Sequence, residues 1–297
     1  MYYFIVNPAS GAGKAMAAAP IVEALMNDSR RDHIILYTES DDDFERIAGL
    51  INVDKADAVV CIGGDGTIQQ YAGLAVGRDV PFGVIPAGTG NDLMYSLPDG
   101  EKKFPSFEDK IRYYVDKVLQ GATAPVDAVA VNGDRYFVNI GGSGADIQVL
   151  KDAIPLKKYF GGASYFLSLV KNAVTYQAEK MTLTVDGCIE TDYYLLLAVC
   201  NGSYYGGHLR IAPGALIDDG YLTLCIVKKM PKLKLMAVLP SVRSGAHGRF
   251  KEVSFVNCTS VQLEYEGVRT INFDGNLLDF ESPLSFEIRK GALRFIV

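Results

Sequence analysis

Three glycine-rich segments, each following directly on a short apolar run, restrict this 297-residue chain more than any other feature. They are Asn7-Pro8-Ala9-Ser10-Gly11-Ala12-Gly13-Lys14, Gly63-Gly64-Asp65-Gly66-Thr67 and Gly88-Thr89-Gly90-Asn91-Asp92. The apolar runs at residues 2–6, 34–37, 58–62 and 82–85 read as strands, each ended by Gly, Pro or a polar cluster. Between them, residues 15–26, 43–51 and 68–76 carry apolar side chains at helical spacing. Ser40, followed by Asp41, Asp42 and Asp43, reads as a helix N-cap with acids at the positive helix end. This alternation predicts a parallel sheet covered by helices, with all three loops on the strand-to-helix edge where such sheets bind ligands.

Glycine lets backbone amides approach a phosphate, and the helix start behind each loop adds partial positive charge. One such loop would be an ordinary tight turn. Three on one edge, two of them bearing an aspartate, predict a nucleotide or another phosphate ligand over Gly63, Gly64, Gly88 and Asn91. A Walker A loop is excluded, because Pro8 stands at the first glycine's place and Ala15 follows Lys14. The dinucleotide fingerprint fails too, since Met16 occupies the third glycine position. Asp65 and Asp92 would repel phosphate unless a hard cation such as Mg²⁺ bridges them, and Thr67 and Thr89 add hydroxyls. Amides, hydroxyls and acids in this combination suit phosphoryl transfer.

From about residue 125 the pattern changes to β-rich runs at 126–131, 136–140, 181–185, 193–199, 221–227, 261–265 and 270–273. One helix is expected at 163–175 and another at 233–239. The organisation is therefore an α/β nucleotide-binding domain with a parallel sheet over 1–125. An antiparallel β-sandwich over 126–290 follows it. The apolar segment 291–297 is placed to pack back on the first domain.

The three loops together resemble the diacylglycerol kinase catalytic family, in its bacterial soluble branch. That branch is related to sphingosine and ceramide kinases and, more distantly, to NAD kinase. Asn201-Gly202, Ala212-Pro213-Gly214-Ala215, Asp218-Asp219-Gly220-Tyr221-Leu222 and Asp274-Gly275 continue the resemblance in the family's order. It implies an active site in the cleft between the domains and an ATP- and Mg²⁺-dependent kinase acting on a diacylglycerol-like lipid. ATP would meet Asn7, Ser10, Gly11, Thr38, Gly64, Asp65, Gly66 and Thr67. Asp65 and Asp92 would organise the catalytic magnesium, and Asp274 would be the general base. A second, structural magnesium is implied at Asp219, with the carbonyls of Leu216 and Tyr221; the alternative for that segment is an ordinary hairpin turn. Two positions depart from the family. Asn276 stands where it usually has glutamate, and Leu93-Met94-Tyr95-Ser96 where it often has a basic residue. Asn276 motivates one rival reading, a catalytically weak nucleotide-binding regulatory protein. The shared Gly-Gly-Asp-Gly-Thr loop motivates another, an NAD kinase-like enzyme.

A net charge of −6 argues against a nucleic-acid partner. Five scattered cysteines without a Cys-x-x-Cys pair suit free thiols in a reducing cytosol. No apolar run reaches the ~20 residues that span a bilayer. The expectation is a cytoplasmic enzyme that visits the membrane transiently, with a homodimer as its other partner. His33, His208 and His247 lack ligand spacing. The basic stretch 228–234 is either a solvated edge or a surface for anionic headgroups. Tyr159, Phe160, Tyr165, Phe166 and Leu167 read as helix core or as an acyl-chain path.

Overall fold

The computed structural model describes residues 1–40, 43–97, 100, 102–144, 147–149, 151–153, 167, 168, 170–172 and 176–297. Four strands open the chain: β1 (Tyr2–Val6), β2 (His33–Tyr37), β3 (Ala58–Gly63) and β4 (Pro81–Pro86). They lie in the order β2-β1-β3-β4, all parallel. Every residue of β3 is buried, as a central strand covered on both faces requires. The helices are α1 (Lys14–Asp28), α2 (Phe44–Leu50), α3 (Asp65–Ala72), α4 (Asp92–Ser96) and α5 (Phe107–Gln120). α1 turns Ala15, Ala18, Ala19, Val22 and Met26 onto the sheet.

Two helix starts differ from the sequence pattern. α3 begins inside the glycine loop, because the amides of Thr67 and Ile68 already donate to the Gly64 carbonyl at 3.0 and 3.1 Å. Ser40 does not cap α2. Asp43 occupies that position without a side-chain cap bond, its carboxylate accepting instead from the Glu39 amide at 2.9 Å and from Arg46 at 2.6 Å.

The second half supplies β5 (Thr123–Val131), β6 (Arg135–Phe137), β7 (Ile140–Gly144), β8 (Glu179–Val185), β9 (Cys188–Cys200) and β10 (Leu222–Lys228). After the helix α6 (Lys232–Val242) come β11 (Val253–Cys258), β12 (Ser260–Glu264), β13 (Val268–Phe273), β14 (Asn276–Glu281) and β15 (Leu284–Ile296). These strands pair antiparallel with one another as a β-sandwich. Phe137, Leu183, Leu197, Leu224, Ile271 and Phe286 fill its interior. The outer side of β9 and β10, with Ala198 and Cys225, is covered by Val238 and Val242 of α6. Of the helix expected at 163–175, residues 167, 168 and 170–172 are helical and the rest lie outside the described residues.

β15 ties the halves together. It pairs antiparallel with β12 and β5, then parallel with β4 at Arg294 and Phe295, whose ring lies 6.2 Å from that of Phe82. The apolar run 136–140, expected as one strand, is instead broken between β6 and β7. The reason lies in the active site.

At the junction Asp127 is fully buried, and its carboxylate accepts the amides of Gly220 and Gly291, both at 2.6 Å. Burial pushes this carboxyl up from its ordinary value, and the two amides oppose that push. Removing the acceptor strands two amides in the interior. Asp127→Ala is expected to lower the unfolding free energy by about 2–5 kcal/mol, measured by urea titration, with Asp127→Asn costing less.

Candidate active site

The three glycine loops interlock through their backbones. Gly11 is left-handed (φ 61°), and a Cβ built on it would lie 1.8 Å from the Ala87 carbonyl oxygen at the end of β4. Gly64 and Gly88 stand back to back, where a Cβ on Gly88 would reach the Gly64 Cα at 2.4 Å. The Ser10 hydroxyl lies 3.5 Å from the equivalent point on Gly64. Ala87 and Gly88 both donate to the Gly63 carbonyl, at 2.8 and 3.0 Å. Thr67 is buried and folds back over Gly63, which packs the second loop on itself. Asn91, itself left-handed, closes the third loop by accepting from the Gly88 amide at 2.9 Å and donating to the Gly88 carbonyl at 3.2 Å. Thr89 is exposed at the loop's tip. The Asn7 side chain closes its own turn on the Ala9 amide, and Thr38 donates to the Val6 carbonyl at the same sheet edge.

Asp65 and Asp92 converge on Gly90. A Cβ there would lie 2.9 Å from Asp65 Oδ2 and 3.4 Å from Asp92 Oδ2. Asp65 Oδ1 accepts the Leu93 amide at 3.1 Å, which fixes the start of α4. Asp92 is buried and reaches across to the second half of the chain. It accepts the amides of Gly207 and His208 at 3.0 and 2.7 Å. Gly206, Gly207 and His208 all have positive φ, and that turn aims the amides at the carboxylate. The His208 ring follows, with Nδ1 3.3 Å from Asp92 Oδ1 and the ring centroid 4.1 Å from that of Tyr95. Two facing carboxylates on a rigid loop pair are a donor set that fits a hard cation.

Asp274 and Gly275 form the two-residue turn between β13 and β14, both with positive φ, the geometry favoured in tight hairpins. That backbone turns the Asp274 carboxylate inward onto the β6–β7 junction. It accepts the amides of Val138, Asn139 and Ile140 at 3.3, 3.1 and 2.6 Å. Here is the cause of the broken strand: these amides serve a carboxylate rather than a neighbouring strand. Burial pushes the carboxyl up to about 7; the three amides oppose this, and the charge of Asp65 adds to it. Asp65 and Asp274 thus share one cleft although they come from different halves.

Asn276, the first residue of β14, donates through Nδ2 to the Gly66 carbonyl at 3.3 Å and to the Gln69 side-chain oxygen. The Gly66 carbonyl can only accept, so an amide closes the cleft where a carboxylate would face that oxygen unpaired. Asn201, buried, donates to the carbonyls of Asp127 and Val138 at 2.9 and 2.7 Å.

Leu216, Asp219 and Tyr221 lie together on the turn before β10, away from the glycine loops. Asp219 Oδ1 accepts the Tyr221 amide at 2.9 Å, and the Lys290 ammonium donates to the Asp219 carbonyl at 3.3 Å. Among the described residues no three or more His, Cys, Asp or Glu side chains form a metal-binding group. His247 is buried against the Ile211 carbonyl, and burial lowers its pKa. Cys61, Cys200, Cys225 and Cys258 are buried thiols and Cys188 is exposed. Tyr159, Phe160, Tyr165 and Phe166 lie outside the described residues; Leu167 is exposed. Asp127, Tyr95 and His208 were not singled out as site residues from sequence. The Gly206-Gly207 pair before His208 was the signal available for the last.

Residues 1–131 match the diacylglycerol kinase catalytic domain, and residues 139–297 match the YegS C-terminal NAD kinase beta sandwich-like domain. A diacylglycerol kinase of Mycobacterium tuberculosis is 29% identical over 291 residues, 96% of this chain and 90% of the relative. One from Bacillus subtilis is 29% identical over 223 residues, 74% of this chain and 71% of the relative. The crystal structure of a diacylglycerol kinase from Bacillus anthracis str. Sterne shares the fold, with a TM-score of 0.70 at 21% identity. It covers 99% of this chain and 96% of that one.

The interlocked loops leave no room for a side chain at Gly11. Gly11→Ala forces a left-handed alanine into the Ala87 carbonyl. It is expected to destabilise the first half by at least about 2 kcal/mol, seen as a lowered thermal midpoint.

Proposed function

We propose that this chain, which belongs to the diacylglycerol kinase catalytic-domain family and is a lipid kinase, transfers the γ-phosphate of ATP to the hydroxyl of a diacylglycerol-like lipid. The observation that carries this is the meeting of Asp274 with Asp65 in one cleft: a carboxyl poised near 7 beside the phosphate-binding loops. ATP would lie over the amides of Gly11, Gly64 and Gly66, at the N-terminal ends of α1 and α3, with Ser10 and Gly88 shaping the loops beside it. Magnesium, held by Asp65 and Asp92, would supply neutralisation of phosphate charge. The lipid oxygen attacks the γ-phosphorus as the bond to the bridging oxygen breaks and ADP leaves; Asp274 takes the hydroxyl proton. Catalysis by such a site is mainly positioning and charge stabilisation. The turn at Leu216, Asp219 and Tyr221 offers a carboxylate and two carbonyls to a second, structural magnesium, beside the positive charge of Lys290. No helix among the described residues is long and apolar enough to cross a membrane, which fits an enzyme that meets its lipid from the water side.

The direct test is transfer of labelled γ-phosphate from ATP to a lipid panel in mixed micelles with Mg²⁺. Wild type is expected to label a lipid hydroxyl, and Asp274→Ala to lose at least about 10²-fold in rate. Failure of every lipid to be labelled would sink the proposal. Because the base must be deprotonated and its carboxyl sits at about 7, kcat/KM is expected to rise with pH and level off above that value.

Asn276 is expected to serve as a neutral latch between Asp274's hairpin and the ATP loop. Asn276→Glu places a carboxylate against the Gly66 carbonyl and Gln69, and should lower kcat/KM for ATP by roughly 10- to 100-fold. Adding Gln69→Lys to that variant should restore part of the loss. A rise in turnover on Asn276→Glu would contradict the latch and favour a weak, regulatory protein.

A further inference from the structure

From Lys228 to Lys251, both included, the chain carries seven Lys or Arg residues and no Asp or Glu, although its net charge is −6. Some of these cations are spent locally. Lys228 pairs with Glu190 and Asp192 at 2.5 and 3.0 Å, and Lys234 with Glu252 at 2.6 Å. Lys229 and Arg249 lie over the rings of Tyr193 and Phe250, and both residues are exposed. Arg243 and Lys251 are exposed.

The helix in the middle of this segment, α6, buries Val238, Leu239 and Val242 against the sandwich. Its other side presents Leu233, 89% exposed, and Met236, 38% exposed. An exposed apolar tip on a segment rich in exposed cations matches an anionic bilayer in both respects: leucine gains by leaving water, and each nearby cation raises partitioning several-fold.

This face is also continuous with the active site. Just beyond α6, Gly245 packs so closely that a Cβ on it would lie 2.9 Å from Pro213 and 3.2 Å from Arg210. His247 meets the Ile211 carbonyl at 3.0 Å. The segment they hold is the one whose Gly207 and His208 amides grip Asp92.

We propose that α6 is a membrane-docking element. Leu233 and Met236 enter the interface of an anionic phospholipid bilayer while Lys229, Arg243, Arg249 and Lys251 lie among its headgroups. The docked helix then holds the segment over Asp92 near the leaflet that carries the substrate. The proposal rests on the lipid-kinase reading for its purpose, but its binding test does not depend on that reading.

The test is co-sedimentation with vesicles of mixed phosphatidylglycerol and phosphatidylcholine, against vesicles of phosphatidylcholine alone, over a salt series. Wild type is expected to bind the anionic vesicles, more weakly as salt rises. Leu233→Ser should weaken that binding roughly tenfold, and Arg243→Gln with Lys251→Gln should flatten the salt dependence. Phosphorylation of a short-chain diacylglycerol in non-ionic detergent micelles should be unchanged in all these variants, which shows that fold and chemistry survive. Equal vesicle binding by Leu233→Ser and wild type, or equal binding to neutral vesicles, overturns the proposal. So does a vesicle-free dimer that Leu233→Ser dissociates, because a second copy then covers the face. Absence of micelle activity in the wild type, with vesicle binding as expected, overturns the kinase reading and leaves the docking surface standing.

Discussion

The Asp274 carboxylate, turned inward by a left-handed backbone, gathers the amides of Val138, Asn139 and Ile140. Much of the cleft follows from that geometry. It breaks what would have been one strand into β6 and β7, and it anchors the β13–β14 hairpin against the break. The hairpin in turn delivers Asn276 to Gly66 and Gln69 at the start of α3. A buried carboxyl costs desolvation, and amide donors offset that cost without supplying a positive charge. The result is a carboxyl held rigidly yet raised to about 7. A salt bridge to arginine would have fixed it equally well and lowered its pKa, leaving a poor base.

The first half of the chain was largely legible because its signals are local. Apolar runs ended by glycine place strands whatever the rest of the chain does, and the three loops need glycine for a reason the backbone alone supplies. Gly64 and Gly88 touch at their α-carbons, so no other residue fits either place. The α5 helix was missed although its signals are also local. Ser106 caps it by accepting the Asp109 amide at 3.0 Å, and the left-handed Gly121 ends it.

Other misses had no local signal to find. The Asp127 carboxylate matters because Gly220 and Gly291 arrive from 93 and 164 residues away. The apolar segment 291–297 points to the first half, but nothing local shows that β15 also pairs with β5 and β12. The break at residues 138–140 arises from a carboxylate more than 130 residues distant, so periodicity within the run 136–140 predicted a continuous strand. Local pattern fixes elements; long-range polar partners decide where they stop. Asp274-Gly275 shows both at once. It is a two-residue turn, as its sequence alone suggests, and that turn's positive φ is what points the carboxylate into the cleft.

Asp92 repeats the logic of Asp274 on the opposite wall: backbone amides from the other half, here Gly207 and His208, hold it. On that wall the His208 ring packs 4.1 Å from the ring of Tyr95. Amide donors orient these acids but do not neutralise them. Under the proposed reaction, the triphosphate would bring further negative charge into the same cleft. The balance is restored only when a divalent cation enters with the nucleotide. Under that proposal the acids would do more than hold a metal. By making the cleft inhospitable to bare phosphate, they would make nucleotide binding depend on the cation, while the amide clasps hold both acids in place.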